Sequence, residues 1–165
     1  MKKLVLCALL ATACTPAEEL GADAGGGGGA DAGVTATFSS LYGDYFAGCK
    51  NCHAPGAPGR TPDIETSLDF STKTTAYMSV KTGMATGLTG NFKDCNGVPF
   101  VAATAASSLL VAALDQPTRQ AFDLAAFPNC DVDTIADQTL KSSMQPSPAF
   151  IAALKSWVAA GAPNN

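Results

Sequence analysis

Cys49-Lys50-Asn51-Cys52-His53 decides how this chain is read. A C-x-x-C-H run is the pattern by which c-type haem is attached: two thiols form thioethers to the porphyrin and the adjoining imidazole takes one face of the iron. The spacing has a physical reason. Cysteines three residues apart occupy neighbouring positions of one helical turn and can reach both vinyl groups, and the next residue is then held under the metal. His53 is the only histidine in the chain. A zinc site needing two or three histidines, or a Ser-His-Asp triad elsewhere, would have to use that one ring. The same two cysteines also fit a thiol-disulfide redox pair, though such a motif ordinarily follows a strand and has an aromatic neighbour.

The flanks fit an attachment site. Phe38, Leu41, Tyr42, Tyr45 and Phe46 fall at helical spacing, so a helix is expected from about Ser39 through Cys52, capped by Thr37 or Ser39. Ala54-Pro55-Gly56-Ala57-Pro58-Gly59-Arg60 breaks any helix and must be a loop. Such a loop is placed to offer a backbone carbonyl to the outer N–H of the His53 ring, the bond that orients a ligand histidine and raises its basicity. Arg60 reads equally as a partner for a haem propionate or as a solvated arginine.

Met1-Lys2-Lys3 followed by the short apolar run Leu4 to Ala13 has the form of a bacterial secretory signal, too short to span a membrane alone. Leu10-Ala11-Thr12-Ala13-Cys14 resembles the lipobox of bacterial lipoproteins, with Ala11 where leucine is usual. The resemblance implies cleavage after residue 13 and lipidation of Cys14, anchoring an exported protein to a membrane facing the periplasm or the outside. Loss of Lys2 and Lys3 takes the net charge from −4 to −6. An acidic chain without a Lys/Arg block has no footprint for nucleic acid. Residues 14–35, with Gly25 to Gly29 at their centre, have almost nothing to bury and read as a flexible tether. As a coil of roughly 20 residues it would reach on the order of 25 Å. No Lys-Ser/Thr follows those glycines, so they are not a phosphate loop.

Further along, Leu68-Asp69-Phe70-Ser71 reads as a turn and an N-cap. It precedes a helix over Thr72 to Lys81 with Ala76, Tyr77 and Val80 inward. Residues 82–98 read as a Gly-rich loop containing Cys95. A helix from about Thr104 to Leu114 should bury Leu109, Leu110, Ala113 and Leu114 and be closed by Pro117. Residues 118–143 are less regular, with a short helix expected over Ala121 to Phe127 and Cys130 beyond it. The last helix is the clearest: Ser147 caps it, Pro148 takes its first position, Phe150, Ile151, Leu154, Trp157 and Val158 line one face, and Gly161 with Pro163 end it.

Taken together, Cys49-x-x-Cys52-His53, the loop Met144-Gln145-Pro146 and the closing Leu154-Lys155-Ser156-Trp157-Val158-Ala159-Ala160-Gly161-Ala162-Pro163 resemble the small bacterial mono-haem cytochrome c domains. The resemblance spans residues 36–165. It departs from the family at Gln145, where proline is frequent, and over residues 115–140, which are longer than in the minimal domain. It implies an all-α, cytochrome c-like fold of about four to five helices around one covalent haem c, behind a lipoprotein signal (1–13) and tether (14–35). It also implies Met144 as the second axial ligand, with Met84 in Gly83-Met84-Ala85 as runner-up. Met78 falls inside a helix and reads as core. A second histidine ligand within the chain is excluded.

The cysteine count closes on this reading. Of six cysteines, Cys7 leaves with the signal, Cys14 takes lipid and Cys49 with Cys52 take haem. Cys95 and Cys130 remain as a pair in an oxidising compartment, where a disulfide closing about 36 residues would contribute roughly 3–4 kcal/mol. An iron with both axial positions filled has no place for substrate, so the expected function is one-electron transfer to redox proteins or membrane respiratory components. The lysines nearest the crevice (Lys50, Lys81 and Lys141) would guide docking or form a solvated rim. The competing readings are a ligand sensor or peroxidase-like enzyme with an open sixth site, the thiol-disulfide protein, and a lipoprotein without haem.

Overall fold

The computed structural model describes residues 33–59, 67–122, 126–132 and 145–165. The signal, Cys14, most of the tether, Arg60, Lys141 and Met144 lie outside the described residues. Among those described the fold is all-α: helices and 3-10 turns with one isolated antiparallel bridge, Met84–Pro99, and no strand. The α-helices whose bounds fall among the described residues are α1 (Phe38–Asp44), α2 (Lys73–Thr82), α3 (Leu109–Leu114), α4 (Gln116–Gln120) and α5 (Pro148–Ala159). None is long and apolar enough to cross a membrane.

α1 starts where its sequence provides a cap, the Thr37 hydroxyl accepting from Ser40 N–H. It does not continue to Cys52 as expected. The backbone leaves helical geometry at Tyr45 (φ −142°, ψ −55°) and resumes as a 3-10 turn over Phe46–Asn51. Gly43 and Gly48 flank that break and weaken a continuous α-helix. The cap of α2 falls one residue later than expected. Thr72 and Thr75 form a reciprocal capping box, while Ser71 N–H is held by the Asp69 carboxylate. Ala76 and Val80 are buried, and Met78 is 53% exposed rather than core. α2 ends at Gly83, where a Cβ would stand only 2.0 Å from the Ser79 carbonyl oxygen.

The Gly-rich loop after it is pinned. Ala85 and Gly83 exchange backbone hydrogen bonds with residues 97–100, and the Asn96 amide bonds both N–H and C=O of Leu88. Cys95, fully buried at the end of a 3-10 turn, is joined to Cys130. The helix expected from Thr104 is broken at Ser108, whose buried hydroxyl donates to Thr104 O and accepts from Ala102 N–H. That side chain competes with helical backbone bonding, and α3 starts only at Leu109. Its buried residues are therefore Leu109 to Ala112, with Ala113 and Leu114 only half-buried. Pro117 does not close a helix. It sits in the first turn of α4, which Asp115 caps through Thr118 N–H. Ala121, expected inside a helix, ends one.

α5 forms as read, with Ser147 accepting from Phe150 N–H and Pro148 at its start. Phe150, Leu154, Trp157 and Val158 are buried, whereas Ile151 is half-exposed. Its stripe crosses α1: the Phe38 ring lies 5.4 Å from Trp157, 5.2 Å from Tyr77 and 6.2 Å from Phe46. The tail is latched by three side chains. Trp157 Nε1 donates to Pro163 O, Tyr77 Oη to Ala162 O, and Lys81 Nζ to Gly161 O. Asn165 then accepts from Phe38 and Ser39 N–H, satisfying donors at the start of α1.

Two stability predictions follow from these contacts. The double substitution Cys95→Ser/Cys130→Ser is expected to lower unfolding free energy by roughly 3 kcal/mol in urea titrations, because it frees a long loop in the unfolded chain. An unchanged midpoint would contradict this. Asp115 also pairs with Lys155 at 2.6 Å. Burial pushes its carboxyl up, but the hydrogen bonds from Lys155 and Thr118 outweigh that and hold it below its usual value. A depressed carboxyl stabilises the fold above the usual carboxylate range and loses that contribution as pH falls through it. Asp115→Ala should therefore cost about 1 kcal/mol at neutral pH, and the gap to the parent should shrink below about pH 4. A gap constant with pH would refute the assignment.

Candidate functional site

The motif is built at the place where the first helix changes pitch. In a 3-10 turn, side chains three apart nearly eclipse, so the turn over Phe46–Asn51 brings Cys49 and Cys52 toward one side. Cys52 N–H and His53 N–H both donate to Cys49 O, at 3.1 and 2.8 Å. Both cysteines and the histidine thus belong to one tightly closed turn. Two further bonds hold the turn's exit, Gly59 N–H to Asn51 O and Phe70 N–H to His53 O at 2.6 Å. The chain after the motif loops out and returns against it.

Phe70 supplies the wall beside the histidine. Its ring is 5.9 Å from the imidazole at 88°, an edge-to-face contact, and stacks on Phe46 at 5.3 Å. His53 Nδ1 is buried. With that nitrogen turned into the protein, Nε2 is the ring nitrogen suited to a metal. Cys49 and Cys52 carry thiols and are half-buried. Burial first, and the neighbouring Cys52 second, push the Cys49 thiol up to about 12. Tyr45, whose carbonyl accepts from Cys49 Sγ, packs on Phe150 of α5 at 4.7 Å, so the turn is also seated on the last helix.

The donor set fits a covalent haem: two half-buried free thiols and one imidazole on a single turn, backed by aromatic rings. Among the described residues no group of three His, Cys, Asp or Glu side chains is placed to hold a metal ion. That observation concerns ions held by side chains alone; in haem, four of the ligands come from the porphyrin. The two candidate sixth ligands are not brought to this turn by any described contact. Met144 lies outside the described residues. Met84 is 53% exposed, with its backbone in the bridge to Pro99 and its carbonyl accepting from Ser67. A cavity of about 410 Å³ between the α3–α4 corner and α5, lined by Leu114, Asp115, Pro146, Pro148, Ile151 and Lys155, uses the face of α5 away from Phe150 and Trp157.

No family model, curated protein or solved structure matches this chain. The reading of the site rests on its own residues. Two of them were not singled out as site residues from the sequence, Phe70 and the supporting role of Tyr45. Phe70 carries no motif, and its place beside His53 becomes visible only through the backbone bond between them.

The raised Cys49 thiol generates a prediction of its own. In the folded chain with both motif thiols free, Cys49 is expected to react with iodoacetamide at pH 8 at least about a hundredfold more slowly than an exposed cysteine, since the thiolate is the nucleophile. Peptide mass spectrometry after timed alkylation measures this. Rapid labelling would show an activated thiol instead.

Proposed function

We propose that this chain is a lipid-anchored, exported electron-transfer protein with a cytochrome c-like domain carrying one covalent haem c. The observation that carries the reading is the single closed turn presenting Cys49, Cys52 and His53 together, with His53 Nδ1 buried and the ring set against Phe70. In this reading Cys49 and Cys52 fix the porphyrin by thioethers, which keep the cofactor through every redox cycle. His53 through Nε2, and a methionine sulfur from Met144 or alternatively Met84, would hold the iron. Haem, when bound, would supply a one-electron Fe(III)/Fe(II) couple between a donor and an acceptor protein. Methionine ligation and burial both favour the ferrous state. Phe70 stands beside the His53 ring, whose Nδ1 is buried, and a methionine in the sixth position would leave no place for a substrate. Cys14 would hold the domain at a membrane, near redox proteins or respiratory components, at the end of the tether.

The thiol-disulfide alternative is less well supported. Attack on a disulfide needs a thiolate near neutral pH, and Cys49 is shifted the other way. The motif also follows a helix, not a strand.

The test is the absorption spectrum of the full chain exported alongside a c-type maturation system. The expected result is haem that survives denaturing electrophoresis, is lost in Cys49→Ala/Cys52→Ala, and gives a low-spin oxidised spectrum with the weak red band of iron–methionine ligation. Loss of that band in Met144→Ala assigns the sixth ligand; loss in Met84→Ala would transfer it. A high-spin spectrum would point to the open-site sensor or peroxidase-like reading. A chain that never takes up covalent haem would overturn the proposal.

A further inference from the structure

We propose that Phe70 is the residue that sets the plane of the His53 imidazole, and so the orientation in which that ring meets the haem; this rests on the haem reading above. The imidazole turns about a bond between sp³ and sp² carbons, a torsion whose preferences are broad. The rotamer of His53 alone therefore does not define its plane, and a neighbour must. Phe70 is 2% exposed, and its ring lies against the imidazole, perpendicular to it at 88°. An edge-to-face pair has its favourable geometry at that angle, where the positive edge of one ring meets the negative face of the other.

Phe70 is itself fixed from three directions. Its N–H donates to His53 O at 2.6 Å, its carbonyl accepts from Tyr42 Oη at 3.1 Å, and its ring stacks on Phe46 at 18°. The first bond ties the backbone of the positioning residue to that of the residue it positions, so the two rings cannot drift apart independently. The second ties Phe70 to α1, and the third ties it to the 3-10 turn that carries Cys49. A ring held this way is a template, whereas an aliphatic side chain of similar size would fill the space and leave the imidazole free to turn. Phe70 is thus a positioning residue, acting through His53.

The experiment uses the full chain, loaded with haem and oxidised, with cyanide added so that the sixth position is the same in every variant. The proton NMR shifts of the four haem methyl groups then report the plane of the His53 ring. Phe70→Leu is expected to change their order or spread, or to broaden them through averaging over several ring planes, with covalent haem content unchanged. Phe70→Met, an unbranched filler, serves equally if the leucine variant does not load haem. Val158→Ala, a truncation in the α5 core away from the motif, measures what loss of packing alone does, and its methyl pattern should match the parent. Parent-like shifts in the loaded Phe70 variants, or the same change in Val158→Ala, would overturn the role of Phe70 while leaving the haem reading intact. Absence of covalent haem from the unsubstituted chain would overturn both.

Discussion

The contact on which the architecture depends is the one between Phe38 and Trp157. It joins the first helix to the last, and the same indole closes the chain's end by donating to Pro163 O. That latch brings Asn165 to the first turn of α1, where its amide and backbone oxygens accept from Phe38 and Ser39. Both rings are fully buried, and such rings account for much of the apolar surface a small domain removes from water. A helix as short as α1 does not hold in isolation. It holds here because its apolar side is covered by α5 and its open N–H groups meet the tail.

The candidate site inherits its rigidity from that crossing through a chain of rings. Trp157 touches Phe38, Phe38 touches Phe46, Phe46 stacks on Phe70, and Phe70 meets His53. Phe150, on α5, braces the same turn through Tyr45 and Phe46. Interiors this closely packed transmit displacement poorly along soft directions and well along stiff ones. The helix pair therefore does more than enclose the motif: it fixes the direction in which the motif faces.

The sequence made the ends of this structure legible and the middle much less so. α5 could be read residue by residue because Ser147, Pro148, the apolar stripe and Gly161 all specify one helix, and local and tertiary preferences agree there. The all-α character is legible for similar reasons, whereas Cys95 and Cys130 emerge by elimination, as the two cysteines left once the other four have a use. Where one side chain competes with the helix, the reading failed. Ser108 diverts its hydroxyl to Thr104 O, and Asp115 caps a new helix across the proline expected to stop the old one. Met78 shows the other kind of failure: helical spacing placed it beside the apolar stripe, yet among the described residues its side chain is 53% exposed. Periodicity reports a face, and only the fold decides which faces are covered.

The same contrast separates the two sides of the proposed haem. Cys49, Cys52 and His53 lie within five residues, so one turn's backbone geometry is enough to place them together, and the motif can be recognised without knowing the fold. The opposite axial ligand is a different problem. Met144, the residue proposed for it, is about ninety residues further along. Loop-closure cost grows only slowly with length, so such a distance is no obstacle to the fold, but it removes any local signature of the ligand. Phe70 belongs to this second class as well. It lies seventeen residues past the histidine and is returned to it by a single backbone hydrogen bond. In the proposed reading, short-range sequence encodes the attachment of a cofactor, and long-range packing encodes the orientation of the ring that would hold it.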